Sequence, residues 1–183
     1  GNVIYYTSDN KYTPSDADYQ ILGHNSPDWS LGFQNNFTWK DFDLSVFVYA
    51  RYGQMCAYDM LTSYDPKGIR NFPTYFNYWT ENNPSNDFPA ANANKGLEQY
   101  TGYYALRYVD GSFIKIKNIT LGYSLPKSIL KSAGIEKCRF YATITNPFVF
   151  AKSHLLKDYD PAMNGSLKYP LTKQFVFGAV SYT

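Results

Sequence analysis

Cysteine, histidine and charge are all scarce in this sequence, and each shortage narrows what the protein can be. Among 183 residues there are 2 Cys and 2 His, and charged side chains make up 17%. Cys56 and Cys138 lie far apart in the chain, so they do not read as a disulfide framework, and two buried free thiols are expected. His24 and His154 have no Cys, Asp or Glu at ligand spacing, which leaves them as surface histidines rather than metal ligands. GxSxG, the P-loop and HExxH are all missing, and with them the common signatures of hydrolases, nucleotide enzymes and metalloproteases. Asp158 and Asp160 are of the residue type a glycosidase pair uses. They share one loop beside Pro161, where turn formation is the expected role. No catalysis, no cofactor and no metal are therefore expected.

Lys and Arg number 17 against 15 Asp and Glu, a net charge of +2 with the basic residues scattered; nucleic acid is not an expected partner. No apolar run reaches the roughly 18 residues of a membrane-spanning helix. That excludes helical spans only, because barrel strands signal themselves by about ten residues of alternating polarity each. No signal peptide opens the chain at Gly1, so an exported protein would carry its leader upstream.

What is abundant is aromatic: 19% of the chain, with 19 Tyr and 13 Phe. Chains rich in Tyr, Phe, Thr, Asn and Gly usually build β-structure. Residues 1–28 are polar and turn-rich, with Asp9-Asn10, Thr13-Pro14 and Ser26-Pro27, and read as a loop. From there Trp29, Leu31, Phe33, Asn35, Phe37 and Trp39 alternate with Ser30, Gly32, Gln34, Asn36 and Thr38, close to a strict period of two with a wholly polar second face. After Lys40-Asp41 the alternation resumes, with Phe42, Leu44, Val46, Val48 and Ala50 on one face and Asp43, Ser45, Phe47, Tyr49 and Arg51 on the other. So short a link makes residues 29–52 a hairpin.

Residues 53–111 lose the period and hold Pro66, Pro73, Pro84, Pro89 and the aromatic cluster Tyr75, Phe76, Tyr78 and Trp79. A loop this long is usually functional. Residues 112–123 form a third strand whose phase slips near Lys117-Asn118, since Ile114 and Ile116 differ in parity from Ile119, Leu121 and Tyr123. A β-bulge would repair the slip. Residues 126–137 suggest a short helical turn. A fourth strand sets Phe140, Ala142, Ile144 and Phe148 against Arg139, Tyr141, Thr143 and Thr145. A loop over 151–172 leads to a fifth strand near 173–183, with Val176, Gly178, Val180 and Tyr182 on one parity.

Connections therefore alternate between short (40–41), very long (53–111), moderate (124–137) and long (151–172). Bacterial barrels alternate short periplasmic turns with long outer loops in this way. A soluble β-sandwich shares the period, and periodicity alone does not separate the two. Connection lengths and the aromatic strand ends favour the barrel. Five strands cannot close a large barrel, so the segment is expected to be part of something longer.

Several fragments now resemble known landmarks. Ile21-Leu22-Gly23, Pro27-Asp28 and Gly32-Phe33 resemble an "IG…P…GF" entry into a strand, and Trp39-Lys40-Asp41-Phe42-Asp43-Leu44-Ser45 a "YKNFDLS" hairpin. Tyr78-Trp79-Thr80-Glu81-Asn82-Asn83-Pro84 is similar to "RWTPENP", and the stretch from Asp110 to Tyr123, with Leu125-Pro126 after it, to "DGSYLRLKNVTLGY". Asn146, Asp160-Pro161 and Tyr169-Pro170 match later landmarks. Each fragment is weak alone, but their order and spacing are specific. Together they resemble the C-terminal part of the SusC/RagA-like TonB-dependent outer-membrane transporters.

That resemblance implies an all-β fold, the C-terminal strands of an antiparallel transmembrane barrel of about 22 strands, with long extracellular loops. It implies import of glycan oligosaccharides or peptides across the bacterial outer membrane and contact with outer-membrane lipid. It also implies a SusD-like surface lipoprotein as lid, and TonB acting on a plug and TonB box upstream. The corresponding division is 1–28, a loop leading into the barrel; 29–52, a barrel hairpin; 53–111, a long extracellular loop; and 112–183, the last three strands with a periplasmic turn at 124–137 and an extracellular loop at 151–172. The rival is a secreted β-sandwich that binds carbohydrate.

Two departures from the family pattern matter. Where family members often carry a Ca²⁺-binding loop, this chain has Thr7, Asp9, Lys11 and Tyr12, with only Asp18 keeping a later acid. A cation at the centre and no Gly for the sharp turn suit no Ca²⁺ site. The chain also ends on Thr183 where an aromatic is usual, so either Tyr182 serves or a further residue follows. Tyr49, Arg51, Tyr75, Tyr78, Trp79 and Lys115 are the candidate cargo contacts. Tyr49, Arg51 and Lys115 would line the polar wall, while the loop aromatics would stack on sugar faces, dock the lid or pack the loop on itself.

Overall fold

The computed structural model describes residues 16–62, 74–90, 103–131 and 134–182. Five long strands form one antiparallel sheet: β1 (Trp29–Trp39), β2 (Phe42–Tyr52), β5 (Phe113–Ser124), β6 (Lys137–Ala151) and β7 (Gln174–Tyr182). Their spatial order is β1-β2-β5-β6-β7, so each long strand lies beside the next one along the chain. Two short strands, β3 (Met55–Ala57) and β4 (Tyr108–Asp110), pair separately. The described helical structure is limited to α1 (Lys127–Leu130) and single 3-10 turns.

Local chemistry explains the strands. Lys40-Asp41 closes the first hairpin on the Trp39–Phe42 pair. Lys40 adopts φ 53°, the positive φ a two-residue link needs at its first position. In β5 the pairing runs Ile114 to Ala50 and Ile116 to Val48, skips Lys117, and resumes with Asn118 to Phe47 and Ile119 to Val46. The slip in the alternation is therefore a β-bulge. Against β6 the same step carries Ile116 to Phe148 and Asn118 to Thr145. The unmatched β6 residues are Asn146, at φ 53°, and Pro147, which has no N–H to give the ladder.

The register sorts the side chains into two faces. On one, Phe37, Leu44, Leu121, Ala142 and Phe177 stand in a row across all five strands. Phe33, Phe37, Phe175 and Phe177 on this face are 55%, 59%, 66% and 79% exposed. Among the described residues no second sheet covers them, as a sandwich would require. Val176, Gly178, Val180 and Tyr182 do share a parity, but the pairing sets them beside Thr143, Tyr141, Arg139 and Lys137, on the polar face. Both parities of β7 are apolar, so only its register against β6 reveals which one joins the oily side.

Aromatic rings bracket the apolar face at both ends. Trp29 stacks on Tyr52 at 5.6 Å between centroids. At the other end Trp39 meets Phe42 at 6.4 Å, and Phe42 meets Tyr123 at 4.6 Å. Trp29 and Trp39 begin and end an 11-residue strand. At about 3.3 Å per residue that separates them by roughly 33 Å along the strand, and a tilt of about 40° would leave about 25 Å of height.

The polar face is built on glycines. Asp43 on β2 and Arg139 on β6 reach across β5 and pair through two hydrogen bonds, Nε to Oδ1 at 2.9 Å and Nη2 to Oδ2 at 2.5 Å. Gly122 pairs with Asp43 on one side and Tyr141 on the other, while Arg139, the partner of Ser124, reaches back along the sheet, so a Cβ at Gly122 would run into both groups. Tyr141 lies over Gly178 in the same way, a large ring covering a bare backbone. Gly122→Val should break the Asp43–Arg139 bridge and cost about 1 kcal/mol, the upper range for a half-exposed pair. Denaturant unfolding of the full-length barrel should show this loss, with Gly122→Val and Arg139→Gln less than additive because they remove one interaction.

The buried core lies beyond one end of the sheet. Cys56, Tyr58, Leu61, Phe76, Phe88, Val109 and Leu156 pack together there, drawn from the connections on either side of β5 and β6. Backbone bonds fasten this cap: Met55 N–H to His24 O at 2.8 Å, Tyr58 N–H to Arg107 O at 2.8 Å, and Gly111 N–H to Gln54 O at 2.9 Å.

Candidate functional site

Two places carry the candidate contact residues: the polar face of the sheet next to the cap, and the cap itself. On the polar face Tyr49 and Arg51 alternate along β2, so their side chains project together. Arg51 Nε donates to the Tyr49 hydroxyl at 2.6 Å, and its guanidinium lies 5.4 Å from the Tyr49 ring centroid. The Phe113 ring of β5 is 6.0 Å from Tyr49.

Lys117 joins this group, with Nζ 4.4 Å from the Tyr49 ring centroid. It is the residue that the bulge leaves outside the ladder, so the alternation on either side of it does not fix its face. The phase slip was a visible signal for the bulge, though not for where Lys117 would point.

Lys115 does not share this open position. Its side chain is 1% exposed and its ammonium meets the Asp160 carboxylate at 2.5 Å. Asp160 also accepts from Ala162 N–H at 3.0 Å and caps the Pro161–Met163 turn. The turn-forming role expected of Asp160 is thus joined by a second one, fastening the connection between β6 and β7 to β5. In this arrangement Lys115 is closed off from a cargo by the segment folded over it.

The aromatic cluster of the long connection divides. Phe76 is buried and stacks on Phe88 with centroids 5.0 Å apart and planes 1° from parallel. Tyr75 and Tyr78 are half-buried against the same core. Trp79 is half-buried too, its N–H bonded to Phe88 O at 3.1 Å. Around them the exposed residues Asn77, Asn83 and Asp87 and the half-buried Ser85 form a polar network, with Asn77 Nδ2 donating to Asp87 Oδ2 at 2.9 Å.

The chemistry of the cap is that of an inert core. Burial pushes the Cys56 thiol up to about 11, with the Asp59 carboxylate adding to it against a bond from the Gly165 backbone, so it carries almost no thiolate near neutrality. Burial likewise pushes Tyr58 up to about 12. Burial also raises Asp110, but bonds from Lys152 and Ser112 outweigh it and hold the carboxyl below its ordinary value. Among the described residues no three His, Cys, Asp or Glu gather to hold a metal. Thr7, Asp9, Lys11 and Tyr12 lie outside the described residues, as does Thr183.

A single sheet, oily on one side and polar on the other with a loop cap at one end, is what a slice of barrel wall looks like, and known proteins agree. No family model matches the chain. Its sequence is 28% identical over 150 residues to TonB-dependent receptor P3 of Formosa agariphila, covering 82% of this chain and 14% of that receptor. It is 27% identical over 174 residues to TonB-dependent receptor SusC of Bacteroides thetaiotaomicron, covering 91% of this chain and 16% of SusC. The fold superposes on the RagAB peptide importer in its closed-closed state with TM-score 0.69 at 23% identity, over 92% of this chain and 19% of that one. The chain is similar to a C-terminal barrel segment of SusC-like receptors. In a SusC-like barrel the meander order of five strands is the expected local topology, and the two unpaired edges, β1 and β7, are where further wall would continue. The segment spans about one-sixth of the curated relatives it matches.

Proposed function

We propose that this segment forms wall and outer loops of a TonB-dependent importer in the bacterial outer membrane, one that takes up oligosaccharides or peptides. The observation that carries the reading is the uncovered apolar face, closed at both ends by aromatic rings. The height between those rings, about 25 Å, equals that of the lipid-facing band of outer-membrane barrels. The opposite face, with Gln34, Ser45, Thr120 and Thr143, suits a wet lumen, and Gln34 donates to Ser45 Oγ at 2.6 Å. The end with the cap then lies outside the cell, and the Lys40-Asp41 turn with α1 lies in the periplasm. The likeness to receptors named TonB-dependent supports energised uptake, and the likeness to RagAB supports peptides beside glycans.

In this arrangement Tyr49 and Arg51 line the upper lumen. Tyr75, Tyr78 and Trp79 belong to a prefolded cap that meets a SusD-like lipoprotein lid or the cargo beneath it. TonB acts through a plug outside this segment. The test is extraction of the full-length protein from cells. It should stay in the outer-membrane fraction until detergent is added and then co-purify with a surface lipoprotein. Full solubility in buffer would overturn the reading.

A further inference from the structure

The polar wall carries four cations near β5 whose situations differ. Lys115 is matched by Asp160, and Arg139 by Asp43. The other ion pairs among the described residues join His24 to Asp28, Arg107 to Asp59 and Lys152 to Asp110. Arg51 and Lys117 appear in none of them. Both stand over one Tyr49 ring, at 5.4 Å and 4.4 Å, and both are only half-buried. Two like charges sharing a ring repel each other, and the ring relieves little of this compared with a carboxylate. The Tyr49 hydroxyl takes only the Nε of Arg51, which leaves the terminal amino groups of the fork available for a planar bidentate acceptor.

We infer that Arg51, Lys117 and Tyr49 form a carboxylate-recognition site on the upper lumen wall, so that the cargo bears acidic groups, as uronate-containing oligosaccharides or acidic peptides do. This rests on the import reading and narrows it. The site's second cation, Lys117, is the residue that the β-bulge leaves unpaired between Ile116 and Asn118. Of the acids in the described part of the cap, Asp160 is engaged by Lys115 and Asp110 by Lys152. Cargo passing between cap and wall therefore meets a positive patch flanked by the apolar Phe113 ring, suited to a carboxylate on a partly apolar chain.

The test uses the full-length transporter purified with its lipoprotein. The probes are an acidic oligopeptide and an oligogalacturonate, each compared with its methyl ester, which removes the charge and keeps the rest. At least one free acid should bind about tenfold more tightly than its ester, the effect of one charge-assisted bidentate contact. R51Q with K117Q should cut that preference to within about twofold, while a native yield of folded barrel in the outer membrane shows that the barrel is intact. Equal binding of acid and ester by the native transporter would overturn the inference and leave import standing. Binding of neither form of either probe would likewise overturn the inference and leave import standing. An unchanged preference in the double variant, with a lowered melting temperature of the cargo-free protein, would assign the partner carboxylate to the plug and overturn the cargo site.

Discussion

Replacing Lys115 with Ala should loosen the connection between β6 and β7 by about 3 kcal/mol, the lower end of the cost of leaving one member of a buried ion pair alone. The lower end applies because Asp160, 13% exposed in the pair, can reach water if its segment lifts. The effect should be local. Leu156 and Pro161, buried in that segment, would leave the cap with it, while the strands keep their ladders. Amide exchange over 154–164 should speed up by about a hundredfold, with little change in β5 and β6. Lys115→Met combined with Asp160→Asn should restore most of the protection. It removes both charges together and keeps an oxygen to accept from Ala162 N–H. A Lys115→Ala protein with native exchange in this segment would show that the pair does not hold the cap down.

The parts of this architecture that the sequence discloses are those governed by short-range period. In β1 and β2 the oily and polar residues alternate so regularly that hairpin, turn and faces follow from the residues alone. The slip at Lys117 foretold a bulge, because no other device keeps Ile116 and Ile119 on one face. Legibility fails where an element is shorter than its period or apolar on both sides. β3 and β4 span three residues each, too few to alternate, so residues 53–111 read as a featureless loop. Their core comes from contacts between Cys56, Phe76, Val109 and Leu156, which are far apart in the chain. Lys115 shows the same limit at the site. Its parity places it on the lumen wall, but whether a distant loop covers it depends on Asp160, and spacing holds no record of that pairing. Lys117, hidden by the bulge, is the converse case.

Val46 and Ser45 are neighbours near the middle of β2 and point to opposite faces. Val46 is flanked by Asn35 and Ile119 on the apolar side, and Ser45 by Asn36 and Thr120 on the polar side. Arginine at Val46 would place a charge near the bilayer midplane at a cost of about 2–4 kcal/mol, whereas at a lumen position it stays hydrated. The decisive measurement is the yield of folded full-length barrel in the outer membrane for Val46→Arg and Ser45→Arg side by side. A sharp loss for Val46→Arg with near-native assembly for Ser45→Arg is the predicted result. Equal yields, or the greater loss at Ser45, would contradict a wall that turns its alternating oily residues toward lipid.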